Sequence, residues 1–328
     1  MTDRTLPPAL TVDIGGTHLT TAVVEVAPRT RVRFRKTCRT PAADGPRAVL
    51  TAAARLARDS LADARTAGGP RVTAVGVGSA GVVGRAGRGI TGATDALPGW
   101  AGTPVADRLE AALGLPVTVL GDVQAFLLGE VTAGAAAGAD GAVGVMAGTG
   151  IGGAVWAEGR LLRGAHGAAG HLGHVPVPGA DGEVCPCGRT GHVEALASGP
   201  AMTERFRRAH PGPGVTDLRD VAALAAQGDP DARAALAAGG RALGTALGGV
   251  VGALDPDVVV VGGGVTHSGP WYLDGLRTAL YDTALPALAR VRVATAALGS
   301  DAVLVGAAHA AGAGPAADGA AAGTEAVR

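Results

Sequence analysis

Twice in this chain a short apolar strand runs into a turn of glycine and threonine and straight out into a second strand. Residues 10–14 (Leu-Thr-Val-Asp-Ile) pass through Gly15-Gly16-Thr17 into 19–26, and residues 142–147 pass through Gly148-Thr149-Gly150-Ile151-Gly152-Gly153 into 154–157. The Thr- and Val-rich residues after the first turn predict a strand there, not a helix. That excludes the Walker-type loop and the dinucleotide fingerprint, both of which need a helix N-terminus behind their glycines. Strand, turn and strand instead offer an anion turn amides and a threonine hydroxyl. Either turn alone also reads as a plain hairpin. As a pair in the two halves they predict a duplicated domain. One phosphate loop from each half (Gly15, Gly16 and Thr17; Thr149 and Gly150) closes on a nucleotide between them. Asp13, at the end of the first strand, is suited to hold magnesium through water.

A chain of 328 residues has room for two domains. Its hydrophobic share of 47% supports a core, but aromatics are 2%, so that core is built from Ala, Val and Leu with Gly at close approaches. The formal net charge of zero argues against nucleic acid or an anionic membrane as the main partner. No apolar run reaches the length of a membrane span and no leader pattern opens the sequence, so a soluble, cytoplasmic protein is expected.

Between the two hairpins, a third strand is expected near 32–35, a helix over 45–67 and a buried strand over 72–78. That strand enters Ser79-Ala80-Gly81, where a ligand can approach the backbone. A helix follows over 103–113, then a strand over 117–120, and helical spacing from 123 to about 137. Asp122 therefore sits at a strand-to-helix junction, where open α/β sheets place ligands. It reads equally as a helix N-cap. After the second hairpin, helices are expected over 217–227 and 229–254. The run at 257–261 enters Gly262-Gly263-Gly264, which reads either as a bare-backbone seat for adenine or ribose or as a simple glycine turn. A strand near 290–294 and a helix over 301–311 follow, and the patternless residues 313–328 are expected to be disordered.

Four of the eight histidines (His166, His171, His174, His192) and two of the three cysteines (Cys185, Cys187) fall within residues 166–194. Cys185 and Cys187 are too close for a comfortable disulfide, and with His174 and His192 they offer a tetrahedral zinc four ligands at plausible spacing. A turn-rich segment without apolar periodicity needs such a staple, so the metal is expected to be structural and to position His171 and Glu194.

These residues resemble a family. Asp13-Ile14-Gly15-Gly16-Thr17, the GTGIGG turn, Gly167-x-x-Gly170-x-Leu172-Gly173-His174, CPCGRTGHVEALASG and VVVGGGV occur in the order seen in the ROK sugar kinases, and the likeness runs from about residue 10 to 311. It implies an α/β, two-lobed, actin-like (ribonuclease H-like) ATPase fold with the active cleft between the lobes. The expected lobes are 9–120, joined by the helix at 301–312, and 121–300, which carries the zinc loop. It also implies Mg-ATP and a structural zinc as cofactors, a sugar as the other ligand, and a homo-oligomer, dimer or tetramer. Asp122 resembles the family's catalytic base, which takes the proton of a sugar hydroxyl as the bond to phosphorus forms. His174 and Glu194 match sugar-binding positions, and His174, Cys185, Cys187 and His192 match the zinc positions.

Three departures bear on the substrate and one on the zinc. Histidine at 171, where most ROK glucokinases carry glutamate, resembles the bacterial N-acetylmannosamine kinases. Such a change alters the donors and acceptors offered to the sugar. Gly121 replaces an asparagine, and near the Leu-Pro-Gly-Trp turn Asp95 or a backbone group takes over from another. His192 stands where cysteine is usual, an acceptable exchange on zinc. The expected activity is ATP-dependent phosphorylation of the 6-hydroxyl of a hexosamine, N-acetyl-D-mannosamine to N-acetyl-D-mannosamine 6-phosphate, with a glucokinase or broad-specificity hexokinase as alternative. A sugar-binding regulator or pseudokinase is a remote reading, since about nine residues precede the first strand and Asp122 and both phosphate turns are present.

Overall fold

The computed structural model describes residues 6–26, 29–93, 96–211 and 214–313. The first elements are β1 (Ala9–Ile14), β2 (His18–Glu25), β3 (Arg31–Arg39), α1 (Gly45–Thr66), β4 (Val75–Ser79), β5 (Val82–Val83) and β6 (Ile90–Gly92). There follow α2 (Val105–Leu113), β7 (Val117–Gly121), α3 (Asp122–Ala133), β8 (Ala142–Ala147), β9 (Ile151–Ala157) and β10 (Arg160–Leu161). The rest are α4 (Glu194–Ala197), α5 (Gly199–Ala209), α6 (Leu218–Ala226), α7 (Pro230–Leu254), β11 (Val258–Gly262), α8 (Pro270–Thr283), β12 (Arg292–Thr295) and α9 (Ala302–Ala313). The chain divides into two compact units, one of residues 1–137, 158–168 and 300–328, the other of 138–157 and 169–299.

In the first unit the sheet order is β3-β2-β1-β4-β7. The hairpin strands β1 and β2 are antiparallel, while β1, β4 and β7 run parallel. Side chains alternate across a sheet, so register shows what each face meets. Thr21, opposite Val12, hydrogen-bonds Ser60 of α1 at 2.8 Å. Gly76, opposite Thr11, lies so close to α9 that a Cβ there would stand 1.9 Å from the Ala307 carbonyl oxygen. Helices α1 and α9 therefore cover opposite faces. Helix α3 packs along α9 by the same device, since a Cβ on Gly306 would meet the Ala125 oxygen at 1.9 Å. This pairing is why α3 belongs with the first unit, so that the chain passes to the second at 137/138 where the sequence suggested 120/121.

The second unit repeats the plan. Strands β9 and β8 pair antiparallel, and β8, β11 and β12 run parallel. Its core gathers Val143, Val145, Val259, Val261, Leu243, Leu247 and Tyr272, all fully buried. Helix α7 is apolar and long enough to cross a bilayer, but half of its most apolar window is buried within the protein. It carries Gly240, Gly244 and Gly248 at a four-residue spacing, one stripe on the helix surface. Cβ atoms at the first two would stand 2.0 Å from the Tyr272 oxygen and 2.2 Å from the Leu276 oxygen of α8. The bare stripe lets two backbones touch.

Helices α5 and α8 have no counterpart among the sequence expectations, although each starts on a readable signal. Pro200 and Pro270 occupy the first turn, and the Ser198 hydroxyl accepts the Ala201 amide at 3.4 Å. The helix at the end of the chain is α9 and includes Ala313, while the tail expected to be disordered lies, from residue 314 on, outside the described residues.

Candidate functional site

In the first unit the carboxyl ends of three parallel strands bring the candidates together. Asp13 lies beside Gly78 on β4, and Gly78 lies beside Leu120 on β7, two residues before Asp122. Gly78 puts no side chain between them. Two carboxylates are therefore close enough to oppose each other's charge. Burial, and then repulsion from Asp122, raises Asp13 to about 7. Such a pair accepts its second negative charge readily when a cation is near. Asp122 is the first residue of α3, and its Oδ1 accepts the Val123 amide at 2.8 Å. The N-cap position belongs to Gly121, whose amide is taken by the Gln124 Oε1 at 3.2 Å. The capping alternative for Asp122 is thus answered in favour of its neighbour. Gln124, unremarked in the sequence, also reaches the Gly167 oxygen at 3.5 Å.

The turn Gly15-Gly16-Thr17 is a closed hairpin turn, with the Gly15 amide on the His18 oxygen at 3.0 Å. Thr40 pins it from the end of β3, its hydroxyl on the Gly15 oxygen at 2.7 Å and its amide on the Thr17 oxygen at 2.9 Å. The Thr17 side chain stays exposed. Gly81 follows β4 at φ +98°, where a Cβ would meet the Gly92 oxygen at 2.7 Å. Asp95 lies outside the described residues.

In the second unit the turn after β8 and the turn after β11 open on one cavity of about 790 Å³. Gly148 and Thr149 line it from one side, Gly264 and Val265 from another, and Thr203, Arg207, Asp217 and Arg219 beyond them. Gly263, at φ +91°, leans on β8 where a Cβ would stand 2.3 Å from the Ala147 oxygen, and Gly262 ends the strand. Position 264 has open space. The residues of α5 and the 216–219 segment were not anticipated. No local pattern marks them, and the tertiary fold alone carries them to the two turns.

The metal-loop residues converge. One ligand atom from each of His174, Cys185, Cys187 and His192 lies within 4.8 Å of all the others. His174 Nδ1 is 3.6 Å from Cys185 Sγ, and His192 Nδ1 is 3.3 Å from Cys187 Sγ. Zinc bond lengths imply tetrahedral edges of about 3.3–3.8 Å, so both pairs already have the required spacing. The donor set of two imidazoles and two thiols fits zinc. Burial lowers His174, which keeps its ring neutral, and pushes the Cys185 thiol up to about 12, so metal binding there releases a proton. His171 stacks on His174 with ring centroids 6.2 Å apart.

Glu194 does more than the sequence suggested. As the first residue of α4 it is buried, and its Oε2 accepts the Ile151 amide at 2.6 Å, next to the second glycine turn. A Cβ on Gly150 would come within 2.7 Å of that oxygen, so glycine there makes the contact possible. Its Oε1 faces the Cys185 sulfur at 3.7 Å.

A model of the ROK family matches residues 9–313. The chain is 33% identical over 299 residues to an N-acetylmannosamine kinase of Salmonella typhimurium, covering 91% of this chain and 96% of that one. It is 34% identical over 250 residues to a glucokinase of Thermotoga maritima, covering 71% and 77%. Among solved structures, a ROK family glucokinase from Streptomyces griseus in complex with glucose and AMPPNP superposes with a TM-score of 0.80 at 30% identity, over 94% of this chain and all (100%) of the other. With a family model over most of its length and both half-sheets in the same strand order, the chain belongs to the ROK family and has the actin-like ATPase fold of its sugar kinases.

Proposed function

We propose that this ROK sugar kinase transfers the γ-phosphoryl group of Mg-ATP to the 6-hydroxyl of N-acetyl-D-mannosamine. The observation that carries the choice of sugar is His171, stacked on His174 in the loop that holds the four soft ligands. Its imidazole offers one donor and one acceptor where a glutamate would offer acceptors alone. Likeness to N-acetylmannosamine kinases over nearly the whole chain supports the reading.

In this reading Asp122 accepts the proton of the attacking hydroxyl, and its place at the start of α3 beside the end of β7 holds it rigidly for that role. Asp13 binds magnesium through water, which supplies charge neutralisation at the phosphates. With the Gly15 amide spent on the His18 oxygen, the Gly16 amide and the Thr17 hydroxyl, and on the other turn the Gly150 amide and the Thr149 hydroxyl, hold the phosphate oxygens. The nucleoside lies in the cavity over Gly264, behind which Gly262 and Gly263 keep the strand end bare. His174 binds zinc through Nδ1 and the sugar through its other nitrogen. His171 and Glu194 read further hydroxyls, with Gly81 and Asp95 at the sugar's edge.

A glucokinase is the second reading, favoured by glucokinase relatives at equal identity. ADP release measured with N-acetylmannosamine, N-acetylglucosamine, mannose and glucose separates them. The expected result is a kcat/KM for N-acetylmannosamine about tenfold or more above glucose, a preference of roughly 1.4 kcal/mol. His171→Glu is expected to move the ratio toward glucose. Glucose turned over far faster than N-acetylmannosamine by the parent protein sinks the choice of sugar and leaves the kinase intact.

The metal is tested separately. Purified protein is expected to carry one zinc per chain by elemental analysis. Competition with a chromophoric chelator should show His192→Ala holding it about tenfold or more weakly, because even partners outside the ligand set are worth that much. Zinc-free protein with full activity, or a variant of unchanged affinity, would remove zinc from the account.

A further inference from the structure

A groove of about 690 Å³ in the first unit, between α1 and α2, is lined by none of the residues assigned to nucleotide, sugar or zinc. One wall is a single stripe of α1, where Arg47, Thr51, Ala54 and Arg58 follow at three- and four-residue steps. Pro104, Arg108 and Ala112, spaced by four along α2, make the facing wall. The two helices run side by side in the same sense. Pro46, at the head of α1, lies 3.7 Å from the Cβ position of Gly99, ahead of α2. Farther along, Arg58 donates to the Ala112 oxygen at 2.8 Å, near the end of α2.

The groove lies behind the turn at 97–102. Trp100 is buried and points inward, its indole nitrogen donating to the Ser79 Oγ at 3.1 Å at the end of β4. Gly99, Ala101 and Gly102 face the groove instead. Gly102, at φ +84°, has nothing within 4 Å of its Cβ position, so bare backbone with open space forms this part of the floor.

Three guanidinium groups line the groove and, among the described residues, no carboxylate does. The acidic side chains of the two helices are engaged elsewhere. Asp107 and Glu110 of α2 both pair with Arg88. On α1, Asp63 pairs with Lys36 and Asp59 acts on the same lysine, while Asp44 caps the head of the helix outside the lining. Arg47 and Arg108 are exposed and meet no carboxylate among the described residues. Arg58 gives one N–H to the neutral Ala112 carbonyl, which fixes its direction without cancelling its charge. A groove of one uncompensated sign concentrates anions, and guanidinium forks match phosphate oxygens. The charges sit at two ends. Ala112 is one turn beyond Arg108, so Arg58 and Arg108 share one end, and Arg47 stands about 16 Å of helix rise away at the other. Leu50, Ala54 and Pro104 give the stretch between them an apolar wall.

We propose that this groove binds a small metabolite bearing two phosphate groups, one held by Arg58 and Arg108, the other by Arg47, with its carbon body against Leu50, Ala54 and Pro104. The site does not depend on which sugar is phosphorylated or on the roles given to Asp122 and the glycine turns.

Equilibrium dialysis of the full chain at about 0.15 M salt, where loose surface attraction is screened, tests it. Mg-AMPPNP fills the nucleotide site throughout. The probes are fructose 1,6-bisphosphate, fructose 6-phosphate with its single phosphate, and orthophosphate. One bisphosphate per chain is expected, held about tenfold or more tightly than either of the others. Arg47→Glu with Arg108→Glu should weaken it about tenfold or more, and the Lys versions, which keep the charge and lose the fork, should fall between. Glutamate suits the first turn of α1 and the body of α2, so both helices should persist, and Arg108→Glu alone serves as the milder variant. Fructose 6-phosphate bound as tightly as the bisphosphate would overturn the two-ended site. No binding, release by rising AMPPNP, or affinity unchanged in the Glu variants would overturn the groove as a site.

Discussion

Replacing Asp122 by Asn should lower kcat by about a hundredfold to ten-thousandfold while KM for ATP and zinc content stay near those of the parent. The amide keeps the size of the carboxyl and its acceptor oxygen toward the Val123 amide, and the cap of α3 is made by Gly121 and Gln124, so the fold loses nothing obvious. What it loses is the carboxylate proposed to take the proton. A second, independent signature follows from Asp13. Its raised value means that, without metal, the folded protein keeps a proton that the unfolded chain has already released. Stability should thus fall as pH rises from about 4, the ordinary carboxylate value, to about 7, and stay low above it. Asp122→Asn removes the repulsive part of that shift. In metal-free protein the variant should melt higher than the parent at pH 8, with the gap closing toward pH 4. A variant that keeps activity within a few-fold would reduce Asp122 to a helix residue. An equal melting difference at both pH values would mean that the two carboxylates do not sense each other.

Gly244→Val is expected to cost at least about 3 kcal/mol, at the upper end of overpacking effects, and to leave little folded protein at 37 °C. The Cβ would stand 2.2 Å from the Leu276 oxygen and 2.9 Å from its carbonyl carbon, both main-chain atoms that no rotamer change can move. Helices α7 and α8 would have to separate through the middle of the second unit's core. Gly249, on the same helix with nothing within 4 Å of its Cβ position, is the matched control. Gly249→Ala should stabilise by roughly 0.5–1 kcal/mol, because alanine has less freedom to lose. Urea denaturation of the three proteins decides it. A Gly244→Val protein as stable as the parent would mean that the helix pair is not the close contact described.

Both hairpins, the three parallel strand ends and α7 were legible because each follows a local rule of periodicity or turn chemistry. Helix α8 was not, since Trp271, Tyr272 and Thr278 dilute the helical pattern and its start at Gly269-Pro270 resembles any loop in a chain this rich in glycine. The four metal-loop residues could be singled out from type and spacing alone, because rare soft ligands crowded into one segment are improbable by chance. The cavity walls from α5 and the 216–219 segment could not, for their residues come from segments far from the two turns in sequence and only packing assembles them. Glu194 lay between these cases: its position was legible, and its attachment to the Ile151 amide was not.

In the proposed function that attachment is a mechanical link between the glycine turn assigned to ATP and the loop assigned to zinc. One carboxylate holds the Ile151 amide beside the second glycine turn with one oxygen and faces the sulfur of Cys185, one of the four proposed zinc ligands, with the other. Starving the protein of zinc would therefore reach beyond sugar recognition. It would loosen the glycine turn proposed to hold ATP as well, so that the two bound groups would rise and fall together.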